Sequence, residues 1–95
     1  MIETEMIETR KGAALGIKAD LKLPLLLIRA EHGWVGCGYF STNTPDKTGE
    51  AAAVVTGVKT FAEMLSRPVA WASQAAHRLG VVEGMTGKDA LEKMM

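Results

Sequence analysis

The sequence has little cysteine, few aromatic side chains and little proline. Its 95 residues include one cysteine, two tryptophans, two phenylalanines, one tyrosine and three prolines. A single cysteine excludes an intramolecular disulfide framework, and no basic segment followed by an apolar one opens the chain as a secretory signal would. We therefore expect a cytoplasmic protein.

Net charge and long apolar runs are also lacking. Eleven Lys and Arg residues balance eleven Asp and Glu residues, so no electrostatic footprint for nucleic acid or an anionic membrane is visible. The longest unbroken apolar run, residues 23–28, is far shorter than the roughly twenty residues of a membrane-spanning helix. We expect neither nucleic acid nor a membrane as a partner.

The length of the chain, at 10.2 kDa, suits one domain with one modest core. Six methionines and few aromatics indicate an adaptable core, and association with further copies of the chain would add buried surface. We predict one domain over residues 1–95, in which residues 1–40 are β-rich and mediate oligomerisation and residues 41–95 are mixed α/β.

Residues 24–40 predict a hairpin. Residues 25–30 are apolar at nearly every position, which predicts a strand covered on both faces. After a turn at 31–33, a second strand over 34–40 would alternate bulky side chains with Gly36 and Gly38 on one face and place Cys37 on the other. Glycines inside a strand mark a bend or the close approach of another backbone or a ligand.

The segment before this hairpin carries the clearest strand pattern. Every odd position from Leu15 to Leu23 is apolar, which predicts a strand with one buried and one solvated face. The opening MIETEMIET is either a further strand or a poorly ordered tail. Short connections make the first strands antiparallel.

The second half alternates strands and helices. Residues 41–50 predict a loop, in which residues 43–45 are able to start one helical turn, and residues 52–56 a strand. Thr60 and Glu63 form a capping-box pattern for a helix that Pro68 ends. A short strand at 69–72, a helix capped by Ser73 and a helix capped by Thr86 follow. The predicted fold class is α+β: N-terminal antiparallel strands, then strand, helix, strand, helix, helix.

Three stretches of the sequence resemble a known family. The runs PLLLIRAEHGWVGCGYF, GEAAAVVTGVKTFAEML and LGVVEGMTGKDALEKM are similar to the YunC-like family of small bacterial and archaeal proteins, a domain of unknown function. The resemblance covers roughly residues 15–95. It implies one small α+β domain that forms a tetramer through its N-terminal β region, and it implies no activity and no catalytic residues.

Cys37 is the one candidate catalytic residue. Free cysteine is usually buried, so the simpler interpretation is a small core residue between two glycines. A reactive thiol would need a base within about 3 Å. His32 lies about 16 Å away along the predicted hairpin, and His77 approaches Cys37 only if the tertiary fold brings it there.

Two segments have the composition of an anion site at a helix start. They combine glycine, lysine and hydroxyl groups at the places where free backbone N–H groups favour negative charge. An ordinary helix cap explains both segments without any ligand and is the simpler interpretation of each. The first is the better candidate because it follows a strand, and the residues predicted to bind a small anionic ligand there are Thr56, Gly57, Lys59 and Thr60. The second is residues 85–88.

The sequence shows no pattern that is typical of a metal-binding or cofactor-binding site. One cysteine and two histidines lack the paired spacing of a metal site, so we predict no metal and no cofactor.

The alternating strand also predicts a subunit interface. If neighbouring strands and helices leave its apolar side chains uncovered, they would form a contact between copies. The predicted interface residues are Leu15, Ile17, Leu21 and Leu23. We expect a homo-oligomeric binding or interaction domain, and the alternative is a small enzyme or anion-binding protein with a site near Cys37 and residues 56–60.

Overall fold

The computed structural model describes all 95 residues and consists of one six-stranded sheet with four short helices. The strands lie side by side in chain order. They are β1 (Ile2–Thr9), β2 (Gly12–Ala19), β3 (Leu25–Arg29), β4 (Trp34–Gly36), β5 (Ala52–Val54) and β6 (Trp71–Ala72). The helices are α1 (Thr44–Thr48), α2 (Phe61–Ser66), α3 (Gln74–Arg78) and α4 (Gly87–Lys93). The predicted α+β class is confirmed.

The first four strands are antiparallel, as predicted. The opening segment is a strand rather than a tail, since Ile2–Thr9 pairs along its whole length with β2. Strand β5 pairs with β4 in parallel and with β6 antiparallel, so the sheet is mixed. The parallel pair requires a crossover, which residues 37–51 provide, and the single helical turn foreseen near residues 43–45 is α1 within it.

The predicted strands β2, β4 and β5 all end earlier than expected. Strand β5 stops at Val54 instead of Thr56, and β6 begins at Trp71 instead of Val69. Strand β2 stops at Ala19 instead of Leu23, because Ala19 already pairs with Leu25 and residues 20–24 form the connection. Strand β4 stops at Gly36 instead of Phe40. There the amide of Phe40 donates to the carbonyl of Cys37, so the chain turns back.

Side-chain hydroxyls cap the last three helices, as their sequence patterns predict. The hydroxyl of Thr60 accepts from the amide of Glu63, that of Ser73 from Ala76, and that of Thr86 from Asp89. These caps fix where each helix starts and how it leaves the sheet.

The core lies on one side of the sheet, here called the inner face. Ile7, Ala14, Leu26, Ile28 and Val35 point to this side. They form one buried cluster with Met64 of α2, Leu91 of α4 and Met94, which follows α4. The ring of Phe61 lies over Gly16, where a Cβ atom would stand 2.9 Å from Cζ. The even positions of β2 are therefore the ones that face the core.

The opposite side, here called the outer face, carries the odd positions of β2. Directly paired residues of antiparallel strands point to the same side. The outer face of β1–β4 consists of Ile2, Thr4, Met6, Glu8, Ala13, Leu15, Ile17, Ala19, Leu25, Leu27, Arg29, Trp34 and Gly36. The expectation that β3 is covered on both faces is not met within one chain, because Leu25 and Leu27 are only half-buried. No helix has the length and apolar character needed to cross a membrane.

Candidate functional site

A pocket of about 350 Å³ opens at the end of the sheet where β4 and β5 finish. It combines the predicted cysteine with part of the predicted turn before α2. This cavity is here called the Cys37 pocket. The residues that line it are Leu23, Pro24, Cys37, Gly38, Tyr39, Gly57, Val58 and Lys59. The lining is thus mainly apolar, and it includes one lysine and one tyrosine.

Cys37 lies at the inner edge of this pocket. Its amide donates to the carbonyl of Leu26 at 3.1 Å, and its Sγ accepts from the amide of Leu26 at 3.4 Å. The residue is 4% exposed and belongs to the core cluster. Cys37 is therefore a core residue that also forms part of the pocket wall.

No histidine or carboxylate side chain lines the Cys37 pocket. The amide of His32 donates to the carbonyl of Met94, and the Nε2 of His77 lies 2.9 Å from Oε1 of Glu83. The hydrogen bond from His77 lowers the pKa of Glu83. Neither histidine lines the pocket that contains the thiol.

The four predicted anion-binding residues do not come together at one site. Gly57 and Lys59 line the Cys37 pocket, whereas Thr60 lines another cavity beside Phe61. The methyl group of Thr56 faces Gly38. Gly57 has φ of +72°, a left-handed conformation that favours glycine.

Glu63 forms hydrogen bonds at the start of α2 through both its side chain and its amide. Its Oε1 accepts from the amide of Lys59 at 2.8 Å, while its own amide donates to Thr60. A carboxylate therefore already fills the position that an anion would take at this helix end. The Lys59 ammonium group is the cationic group that remains along the pocket.

The second glycine-lysine segment is a packing site. The amide of Gly87 donates to the carbonyl of Arg67 at 2.9 Å, and a Cβ at position 87 would collide with the carbonyl oxygen of Met64. Close contact between α2 and α4 explains why glycine stands there.

The four predicted interface residues are at least partly exposed. Leu15 and Ile17 lie on the outer face, whereas Leu21 and Leu23 lie in the connection after β2. Leu15 is 37% exposed, Leu21 53% and Leu23 59%, and Leu23 also lines the Cys37 pocket.

The structure adds residues to the predicted interface and to the predicted pocket beyond those that were predicted as site residues. Ile2 and Met6 extend the exposed apolar surface to β1, and Trp34 extends it to β4, where its ring packs on Phe40 with centroids 5.0 Å apart. The period-two alternation of the opening segment is the sequence signal that places Ile2 and Met6 on one face of a strand. Nothing local marks Pro24 or Val58 as pocket walls, because the tertiary fold brings them to the pocket.

No three His, Cys, Asp or Glu side chains lie together as a metal site would require.

Comparisons with known proteins identify relatives but no activity. A family model described as a domain of unknown function, DUF1805, matches residues 36–94. The chain is 31% identical over 94 residues to the uncharacterized protein YunC of Bacillus subtilis strain 168, covering 95% of this chain and 92% of YunC. It is also similar to the crystal structure of TA1206, a protein of unknown function from Thermoplasma acidophilum. That similarity has a TM-score of 0.95 and 35% identity, and it covers 100% of this chain and 94% of the other.

Proposed function

Because the chain belongs to the DUF1805 family, the YunC-like family that its sequence resembles, we propose that it is a self-associating binding domain. Copies assemble through the outer face of β1–β3. The observation that carries this proposal is the apolar surface that the chain leaves uncovered there. A tetramer is the assembly that the family resemblance implies.

The composition of the outer face supports assembly. Between Glu8 at one corner and Arg29 at another, its strand residues are apolar apart from Thr4. Contiguous exposed apolar surface is typical of protein interaction sites, and a tryptophan such as Trp34 is a frequent anchor in them.

Helices α2 and α4 pack against the inner face, not against the outer face of β1–β3. Met64 of α2 and Leu91 of α4 are buried in the core cluster on the inner face. A domain of this size buries a limited fraction of its surface alone, so association would supply additional burial and additional stability.

The composition of the chain favours a compartment and a partner for the proposed assembly. The single cysteine suits the reducing cytoplasm. Balanced charge favours neither nucleic acid nor an anionic membrane as the partner, so the first partner is another copy of the chain.

Native mass tests the assembly. We expect sedimentation velocity and native mass spectrometry at micromolar concentration to give a multiple of 10.2 kDa. Leu15→Lys should lower that mass, because assembly would bury an unpaired ammonium group. The control is Val82→Lys, which changes a more exposed apolar residue outside the outer face. A wild-type monomer would overturn the proposal.

A second candidate function is the binding of a small molecule with an anionic group in the Cys37 pocket. The specific observation in its favour is that Cys37, Gly57 and Lys59 line one cavity. Apolar walls suit the body of such a ligand, and the Lys59 ammonium suits its charge. If the protein is an enzyme, Cys37 is its candidate nucleophile.

Thermal unfolding with acetate, benzoate and phosphate tests the second candidate. Benzoate should raise the melting temperature more than acetate if both the walls and Lys59 contribute, and Lys59→Ala should remove the effect. Lys47→Ala, at an exposed lysine of α1, is the control. Absence of any shift, with unchanged reactivity of Cys37 in the presence of benzoate, would exclude this class of ligand.

A further inference from the structure

We infer that two copies of the chain pack outer face to outer face about a two-fold axis that runs along β2, with Glu8 of each copy against Arg29 of the other. This inference rests on the proposed assembly and specifies its geometry.

The charges on the outer face are the first observation. Among the outer-face residues of β1–β4 only Glu8 and Arg29 are charged, and they have opposite signs. Both side chains are exposed. Neither takes part in the three ion pairs of the chain, which are Arg10–Glu92, Arg67–Glu63 and His77–Glu83. Each is therefore available to a partner.

The positions of the two charges are the second observation. Glu8 lies on β1 and Arg29 on β3, and these strands flank β2 on either side at about 4.8 Å each. Their partners on β2 are Ala13 and Leu15, which are consecutive residues of the outer face. Glu8 and Arg29 thus lie near the same end of the sheet and differ by about 7 Å along the strands.

A two-fold axis along β2 exchanges the positions of the flanking strands β1 and β3 between the two copies. It leaves the same ends of the two sheets together. It places β1 of one copy over β3 of the other, so that Glu8 faces Arg29 of the partner subunit within reach of two long side chains. Symmetry forms this pair twice. Leu15 and Ile17 lie on the axis and meet their own copies at the apolar centre.

The other in-plane axis, perpendicular to the strands, gives a poorer match. It places each strand of one copy over the same strand of the other copy, with opposite ends of the two sheets together. Glu8 would then face the Ile2 end of β1 in the other copy, and Arg29 would face the Leu25 end of β3. Both charges would then be removed from water against apolar side chains, which is unfavourable without a partner. Charge complementarity favours the axis along β2.

Charge reversal tests this geometry. We expect Glu8→Arg alone and Arg29→Glu alone each to raise the dissociation constant for contact across this face by about tenfold or more, because like charges meet twice. An equimolar mixture of the two variants should assemble again. In the mixed dimer one pair is native and the other is the same pair reversed, so both contacts are attractive.

Sedimentation velocity over a dilution series measures these constants, with circular dichroism to show that each variant is folded. Lys47→Glu on α1 is the control for a charge change outside the outer face and should leave the constant unchanged. A monomeric wild type would refute the assembly itself. An assembled wild type whose single variants associate normally, or whose mixture does not recover, would leave the assembly standing and overturn this axis.

Discussion

Arg10 and Glu92 join the two ends of the chain through three hydrogen bonds. The amide of Arg10 donates to Oε2 of Glu92 at 3.0 Å, its Nε donates to the same atom at 3.4 Å, and its Nη2 donates to Oε1 at 2.9 Å. The Glu92 side chain is 7% exposed. The turn between β1 and β2 is thereby attached to α4, and this attachment holds the hairpin that carries much of the outer face.

Stability should fall in acid through this pair. The side-chain and backbone hydrogen bonds from Arg10 lower the pKa of Glu92 to about 2. Since the folded pKa is below the value of about 4.5 in the unfolded chain, the contribution is fully present above pH ~4.5 and is lost as pH falls toward 2. Denaturant unfolding of wild type and Glu92→Gln should therefore differ at pH 7 and converge near pH 2.

The control for acid unfolding is Glu3→Gln, at an exposed carboxylate outside the three ion pairs. It should track wild type at every pH. A difference between wild type and Glu92→Gln that is the same at pH 7 and at pH 2.5 would contradict the assignment to Glu92.

Replacing Gly87 should destabilise the fold strongly. A Cβ atom there would collide with the backbone carbonyl of Met64, which cannot move without shifting α2 away from α4. We expect Gly87→Ala to cost about 3 kcal/mol in free energy of unfolding. Gly38→Ala is the matched control. Its Cβ would meet only Thr56 at 3.6 Å, so its stability should change by less than about 1 kcal/mol. Equal effects of the two substitutions would show that the helices tolerate separation.

The order of elements could be predicted from the sequence because local signals specify it. Hydroxyl caps at Thr60, Ser73 and Thr86 depend on contacts three residues apart, and alternation along β2 is visible in the sequence. Which face of β2 meets the core is not local. It depends on Phe61, whose ring needs the space above Gly16, and a pattern of alternation cannot show which face a distant helix will cover.

Only part of the candidate site could be predicted from the sequence, because only some of its features are visible in the residue types. Cys37 and the Gly57–Lys59 turn each stand out by residue type, and the structure places both on one pocket. The engagement of the Lys59 amide by Glu63 follows from side-chain geometry in the folded helix start, which composition does not specify.

Ser73 should contribute more to stability than an ordinary helix cap. Its buried Oγ accepts from the amides of Ala52 and Ala76 and donates to the carbonyl of Glu50. Ser73→Ala would leave the buried amide of Ala52 without this partner, so we expect a loss of about 2–3 kcal/mol in denaturant unfolding.

Ser66→Ala is the control for Ser73→Ala. The exposed hydroxyl of Ser66 donates only to the carbonyl of Glu63, and its removal should change stability by no more than about 0.5 kcal/mol. If the two serine variants were equally stable, the link between β5 and α3 through Ser73 would carry no measurable free energy.

Cys37 should react slowly in the native protein. The residue is 4% exposed and its thiol receives a hydrogen bond from the amide of Leu26, and buried structural cysteines are inert. We expect N-ethylmaleimide to label it far more slowly in buffer than in urea. Tyr39→Ala removes an exposed pocket wall and should raise the native rate, whereas Leu79→Ala, outside the pocket, should not. A fast native rate that becomes independent of pH well below the usual thiol pKa of about 8.5 would instead identify an activated thiolate, and the enzyme alternative would then take precedence over a purely structural role for Cys37.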